Sequence, residues 1–293
     1  MTKQPIFRFA PSPNGELHLG HAYSALVTDH LARLHGGRFL LRIEDVDGGR
    51  ARTEYERQIF DDLRWLSLQW EEPVWKQSQH MDNYATALKK LDQMGLLYPC
   101  FASRSEIAKY NEKRNLDLPS TPDGYPVYPN MYRDFPLKEA RRRIEAGNPH
   151  TLRLNMPKAM QMALQRVERV SFQERQSDGS YKLIYESPDV WGDVVLARRD
   201  IPTSYTLAVV VDDALQGITH ITRGEDLYHA TSLQRLLQIL LDLPEPLYFH
   251  HPLIVDMTGR KLAKSDDDVS LKTIRATGIS PQDLRAQLPP LLF

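Results

Sequence analysis

The stretch Arg8-Phe9-Ala10-Pro11-Ser12-Pro13-Asn14-Gly15-Glu16-Leu17-His18-Leu19-Gly20-His21 is where residue types and spacing most directly suggest chemistry. Pro11, Pro13 and Gly15 hold a sharp turn after a short apolar run. Gly20 lets a ligand ring or phosphate approach the backbone, and His18 and His21 sit where a helix N-terminus favours negative charge. Nucleotide phosphates suit such a site. A bare His-x-x-His also reads as a metal pair or as two ordinary helix-start histidines. Two distant segments would join it if a sheet gathered them at one edge: Arg42-Ile43-Glu44-Asp45-Val46-Asp47 and Lys261-Leu262-Ala263-Lys264-Ser265. Taken alone, Lys261 and Lys264 read equally as a solvated loop pair.

The elements needed to position these residues are legible in outline. Ile6 to Ala10 reads as a buried strand ending in the tight loop, and Ala22, Leu26, Leu31 and Leu34 mark one helical face from about Gly20 to His35. Gly36-Gly37 closes that helix, and Phe39 to Ile43 gives a second strand. This order is the βαβ unit of a parallel, nucleotide-binding sheet. Helices are expected at Thr53 to Ser67 and Gln79 to Met94. Between Leu97 and Val190 proline-rich text (Pro119, Pro122, Pro126, Pro129, Pro136) suggests a less regular insertion. Strands at Leu207 to Val211 and Ile218 to Thr222, then a helix over Ser232 to Leu241, are expected to return the chain to the sheet. Ile254-Val255 and the lysine loop follow.

Bulk composition narrows the class. In 293 residues, 41% hydrophobic and 26% charged, no apolar run is long enough to cross a bilayer. The N-terminus lacks the pattern of a secretory signal and reads as the first strand. The single cysteine, Cys100, excludes an internal disulfide framework and suggests a reducing compartment, so a cytoplasmic location is expected. With Lys+Arg at 37 and Asp+Glu at 38 there is no global positive field, and an RNA site must be a local patch. Arg141 to Arg143, Lys109 with Lys113 and Arg114, and Arg198 with Arg199 are the candidates, each also readable as a solvated face. A monomer is expected.

Four segments together resemble the glutamyl branch of the class I aminoacyl-tRNA synthetases. Pro11 to His21 resembles the HIGH motif, Arg42 to Asp47 that branch's strand end, and Lys261 to Ser265 the KMSKS loop. Tyr205 to Asp213, continuing through Gly217 to Asp226, aligns as well. The resemblance implies an α/β fold: a Rossmann-type parallel-sheet catalytic domain with an inserted α+β subdomain. Its expected divisions are 1–96, the first catalytic half; 97–190, an inserted acceptor-binding-like subdomain; 191–260, the second half; and 261–293, the lysine loop and C-terminal segment. Full-length glutamyl enzymes continue past the loop into a helical region that grips the anticodon, so no anticodon-binding domain is expected here. That shortened plan resembles the branch that transfers glutamate to the queuosine base at the wobble position of tRNA(Asp).

The resemblance also implies roles. Glutamate presents two carboxylates and an ammonium. Arg8 and Arg223 are expected to hold the carboxylates, with Arg8 favoured for the side-chain group, Glu44 the ammonium, and Ser12 and the Tyr205 hydroxyl the orientation. Phe9, Ala10, Pro11, Gly20 and Lys264 would bind ATP with its Mg²⁺. His18, His21, Lys261 and Lys264 would stabilise the charge that builds during adenylation. Family members often carry zinc in the insertion, starting Cys-x-Cys; here Ala102 follows Cys100, so no structural zinc and no other protein-bound metal is expected. Rival readings are a shortened enzyme charging the 3′ end of tRNA(Glu), and a non-catalytic paralogue that binds glutamate or ATP.

Overall fold

Ile6 to Phe9 is apolar except for Arg8 and is bracketed by prolines, which favours extended backbone; it forms β1 (Ile6–Phe9), buried along its length. The computed structural model describes residues 4–254 and 269–291. After β1 come α1 (Leu19–Leu34), β2 (Arg38–Ile43), α2 (Thr53–Trp65), β3 (Glu71–Lys76), α3 (Met81–Gln93) and β4 (Leu97–Cys100). Next are α4 (Arg104–Arg114), α5 (Leu137–Glu145), β5 (Thr151–Leu154), α6 (Met156–Ala163), β6 (Ser171–Arg175), β7 (Tyr181–Tyr185) and β8 (Val195–Ala197). The chain closes with α7 (Tyr205–Leu215), β9 (His220–Gly224), α8 (Ala230–Leu241), β10 (Leu247–His251), α9 (Leu271–Ala276) and α10 (Pro281–Gln287).

Seven strands form one sheet in the order β3-β2-β1-β9-β10-β6-β7, parallel throughout except for β7. From β1 the chain winds through α1 to β2 on one side, whereas from β9 it winds through α8 to β10 on the other. The two connections diverge above the β1/β9 pair, and a crevice must open there, beyond the carboxyl ends of the strands. Phe7, Leu26, Leu31, Leu41 and Leu63 fill the core that includes α1 and α2, which α9 and α10 join through Leu271 and Leu284. Tyr84, Leu88, Leu207, Leu236 and Leu240 belong to the other main core, built on α3, α7 and α8. Helices cover both faces, which is why the central strands read as continuous apolar text.

A separate antiparallel sheet, β4-β5-β8, sits within the intervening sequence. The two sheets interleave along the chain and do not divide it at residues 97 and 190, because β6 and β7 join the edge of the large sheet while β8 belongs to the small one. Cys100 is buried there, 3.4 Å from the Tyr128 hydroxyl, with Tyr98 in the same cluster. Arg142 is exposed and held by Glu139, as expected of a solvated helix face, whereas Arg143, also paired with Glu139, packs over the Phe101 and Phe135 rings. Among the described residues no helix is long and apolar enough to cross a membrane.

The strand expected at Leu207 to Val211 is instead part of helix α7. Leu207 through Asp213 are all buried, so this helix lacks the polar stripe that reveals helical periodicity, and a short apolar run rich in valine mimics a strand. The decisive local signal is Ser204, whose side chain accepts from the Leu207 N–H at 3.3 Å and caps the helix. The expected loop at 258–265, including Lys261 and Lys264, lies outside the described residues. The segment after it docks onto the start of α1: Leu271 N–H donates to the Leu17 carbonyl at 2.7 Å, and Lys272 pairs with Glu16 at 3.2 Å.

Under α9 lies Asp62, fully buried on α2 and 3.6 Å from Arg275. Burial is the largest influence on its carboxyl and pushes the pKa up to about 6, against the pull of Arg275. A carboxyl whose pKa is raised by folding stabilises the native state as pH falls through about 6 and weakens it as pH rises. The Asp62→Asn variant should therefore gain on the parent between about pH 4 and pH 7, by roughly 2–3 kcal/mol for a shift of about two units. Urea midpoints of both proteins across that range measure it; parallel curves would exclude it.

Candidate active site

The loop after β1 crosses the carboxyl ends of the strands and is tied to its neighbours by main-chain bonds. Glu44 N–H donates to the Pro11 carbonyl at 3.0 Å and Arg52 N–H to the Pro13 carbonyl at 2.9 Å. These bonds fix the exit of β2 against the loop. His18 caps α1: its Nδ1 accepts from Gly20 N–H at 3.1 Å, and the His21 Nδ1 accepts from His18 N–H at 3.2 Å. The two rings lie 3.9 Å apart. With Nδ1 used as an acceptor, each neutral ring carries its proton on Nε2, so both are N–H donors at the positive end of a sixteen-residue helix. Gly20 leaves room for this cap, since a Cβ there would stand 3.0 Å from the His18 ring and press it aside.

Beneath the loop is a buried charge network. Arg42, fully enclosed, donates to Asp213 Oδ1 at 2.7 Å, Gln216 at 3.0 Å and Glu44 Oε1 at 3.1 Å. Arg8 donates from Nε to Asp213 Oδ1 at 2.9 Å, from Nη2 to Oδ2 at 3.4 Å, and from Nη1 to the Thr222 carbonyl at 3.4 Å. Burial pushes the Asp213 carboxyl up, but the charges and hydrogen bonds of Arg42 and Arg8 outweigh it and hold the pKa below the ordinary value. For Glu44 burial prevails over Arg42 and Arg8, and its pKa is raised. The adjacent Asp212 accepts from Trp75, Gln77 and Tyr84 and also stands 3.9 Å from Arg42 Nε.

Arg223, on β9, forms the opposite wall and is held differently. Its Nε donates to His250 Nε2 at 3.1 Å, Nη1 to Gln234 at 2.8 Å and Nη2 to the Thr231 hydroxyl at 2.6 Å. Each arginine thus uses three of its five N–H groups on protein and keeps two for a ligand. Tyr205 is partly exposed, and local desolvation followed by the Glu44 charge raises the pKa of its phenol.

These walls enclose a cavity of about 480 Å³. Arg8, Phe9, Ala10, Pro11, Ser12, His18, Gly20, His21, Glu44, Tyr205 and Arg223 all line it. Every expected site residue within the described part of the chain is therefore in one place; Lys261 and Lys264 are outside that part. A second chamber of about 200 Å³ shares Ser12, Asn14, Glu44 and Tyr205 with the first and adds Asp47, Arg50 and Arg198. Among the described residues no group of three or more His, Cys, Asp or Glu side chains is arranged to hold a metal ion.

Sequence reasoning passed over the groups that hold the ligand-facing residues: Arg42, Asp213, His250 and Glu174. For two of them a signal existed. Arg42 interrupts the apolar text of β2, and Asp212-Asp213 interrupts that of α7; a charge inside a buried apolar run must find a counter-charge. No local pattern marks Glu174 or His250.

The family model described as tRNA synthetases class I (E and Q), catalytic domain, matches residues 6–289. A glutamyl-Q tRNA(Asp) synthetase of Rhodobacter capsulatus is 46% identical over 286 residues, covering 96% of this chain and 98% of the relative. A glutamate–tRNA ligase of Prochlorococcus marinus is 36% identical, and there the match spans 94% of this chain but 56% of the ligase. Among solved structures, the glutamate-tRNA synthetase of Elizabethkingia anophelis superposes with a TM-score of 0.73 at 26% identity, covering 91% of this chain and 54% of that one.

Asp213 balances two guanidinium groups, and replacing it by Asn should cost about 3–5 kcal/mol, as for other broken buried pairs. The pH dependence carries a sign. A carboxyl with a lowered native pKa contributes its stability above the ordinary carboxylate range and loses it as pH falls through the native value. The deficit of Asp213→Asn should therefore shrink at acidic pH. Denaturant titrations of variant and parent measure it, and a deficit that does not change with pH would contradict the assignment.

Proposed function

We propose that this chain, which belongs to the class I tRNA synthetase family of E and Q, activates L-glutamate with ATP and transfers it to the queuosine base of tRNA(Asp). One observation carries the reading: a single cavity holds two anchored guanidinium groups, a buried carboxylate and a pair of imidazole donors at a helix N-terminus. The substrate chemistry matches this set. Arg8 and Arg223 take the two carboxylates, Glu44 takes the ammonium, and Ser12 and the Tyr205 hydroxyl orient the molecule. Burial, the largest influence, raises the pKa of Glu44, and an ammonium beside it would favour the charged carboxylate.

In the first step the glutamate α-carboxylate attacks the α-phosphate, pyrophosphate leaves, and the mixed anhydride forms. The Nε2–H groups of His18 and His21 stabilise the charge on the transferring phosphoryl group, aided by the α1 N-terminus. Phe9, Ala10, Pro11 and Gly20 provide the ATP surface. Lys261 and Lys264 neutralise the departing pyrophosphate, and Mg²⁺ entering with ATP would supply further positive charge there. In the second step a hydroxyl of the queuosine ring attacks the anhydride carbonyl, AMP leaves, and an ester forms on the base. The chamber bearing Arg50 and Arg198 adjoins Glu44 and Tyr205, and suits an acceptor nucleotide carrying a phosphate.

The choice of acceptor rests on the 46% identity to the glutamyl-Q enzyme across nearly its whole length. The second reading, charging the 3′ end of tRNA(Glu), draws on the similarity to glutamate–tRNA ligases. Pyrophosphate–ATP exchange without tRNA should require glutamate and not glutamine. Labelled glutamate should then attach to queuosine-bearing tRNA(Asp), and not to queuosine-free tRNA(Asp) or tRNA(Glu). Attachment only to the 3′ adenosine of tRNA(Glu) would favour the second reading, and no exchange with glutamate would remove both. Glu44→Gln should raise the glutamate KM by about 30-fold or more, the usual consequence of removing one member of a buried charge pair.

A further inference from the structure

Arg8 and Arg223 face the same cavity but are compensated in opposite ways. The fork of Arg8 rests on the carboxylate of Asp213. All three protein acceptors of Arg223 are uncharged: an imidazole nitrogen, an amide oxygen and a hydroxyl. A carboxylate does stand behind Arg223, but one residue removed. Glu174 Oε2 lies 2.9 Å from His250 Nδ1, and its Oε1 accepts from the His250 main-chain N–H at 2.8 Å. The side chains of His250 and Glu174 are 2% and 9% exposed.

The proton positions follow from donor and acceptor inventories. An ionised Glu174 only accepts, so His250 Nδ1 carries a proton; the Arg223 Nε–H only donates, so Nε2 presents its lone pair. The imidazole is therefore neutral and fixed in one tautomer. The groups facing it are Glu174 from β6, Arg223 from β9, Tyr228 from the turn after β9 and Thr231 from α8, with Tyr248 and His251 on its own strand. Burial first, and then the charge of Arg223, lower its pKa against the opposing pull of Glu174.

We propose that Glu174 and His250 are positioning residues for amino-acid recognition: they aim the Arg223 guanidinium into the cavity without neutralising it, leaving its positive charge for the substrate carboxylate. The inference rests on the cavity being the glutamate site. A carboxylate in direct contact with Arg223 would orient it equally well but would compete with the substrate. An unanchored arginine would keep its charge but lose its aim. The Glu174–His250 pair separates these two requirements, so that Arg223 meets a substrate carboxylate both aimed and charged.

The test is glutamate-dependent pyrophosphate–ATP exchange, with KM for glutamate and for ATP measured separately, on the full chain and on variants first checked for an unchanged thermal midpoint. His250→Gln, which retains a neutral acceptor, should keep the glutamate KM within about threefold of the parent, and His250→Ala should raise it about tenfold, the scale of one charge-assisted hydrogen bond. His250→Asp places a carboxylate beside Arg223 and should raise it about 100-fold. The KM for ATP should stay within twofold in all three. Parent exchange with a glutamate KM that His250→Ala and His250→Asp leave unchanged would overturn this inference alone. A parent without glutamate-dependent exchange would overturn the functional reading with it.

Discussion

Three guanidinium groups converge on the bottom of one cleft, and the distribution of negative charge among them constrains everything built above. Buried cations are tolerated only when matched and hydrogen-bonded. Arg42 and Arg8 meet that condition through Asp213 and Glu44, which belong to α7 and the exit of β2. Arg223 meets it with neutral acceptors alone. The pairing is therefore uneven: Arg8 and Arg42 face carboxylates directly, whereas the direct partners of Arg223 among the described residues are neutral.

The topology makes this gathering possible. Arg8, Arg42 and Arg223 come from β1, β2 and β9, which are neighbours in the sheet although the first and last are more than two hundred residues apart in the chain. Their side chains reach the same end because the strands run parallel. The crevice opens between them because α1 and α8 carry the chain away in opposite directions. The same order sets β6 beside β10 and delivers Glu174 to His250, so a strand from the proline-rich half of the sequence takes part in the wall of the cavity.

The distinction between groups that touch a ligand and groups that hold those groups also explains what was legible. His18, His21 and Gly20 were identifiable because a strand, a tight turn and a helix start leave a local pattern; the structure adds that a Cβ at Gly20 would crowd the His18 ring. Arg8, Glu44, Tyr205 and Arg223 were identified through motif resemblance, and they share one cavity. Asp213 was visible only as a charge in an apolar run, and that run was assigned to a strand. Its true form is a helix buried on all sides, where neither period stands out and Ser204 alone marks the start.

By itself the sequence determined the first strand-loop-helix-strand unit, the placing of two histidines at the start of α1, and a set of charged residues too costly to bury without partners. Those properties depend on neighbours a few residues apart, or on a single side chain's solvation. Tertiary structure alone decided which charge answers which: that Arg8 leans on Asp213 while Arg223 leans on an imidazole, and that Glu174 stands behind that imidazole. Electrostatic pairing is set by distances of a few ångströms between residues far apart in the chain, and only the folded sheet fixes those distances.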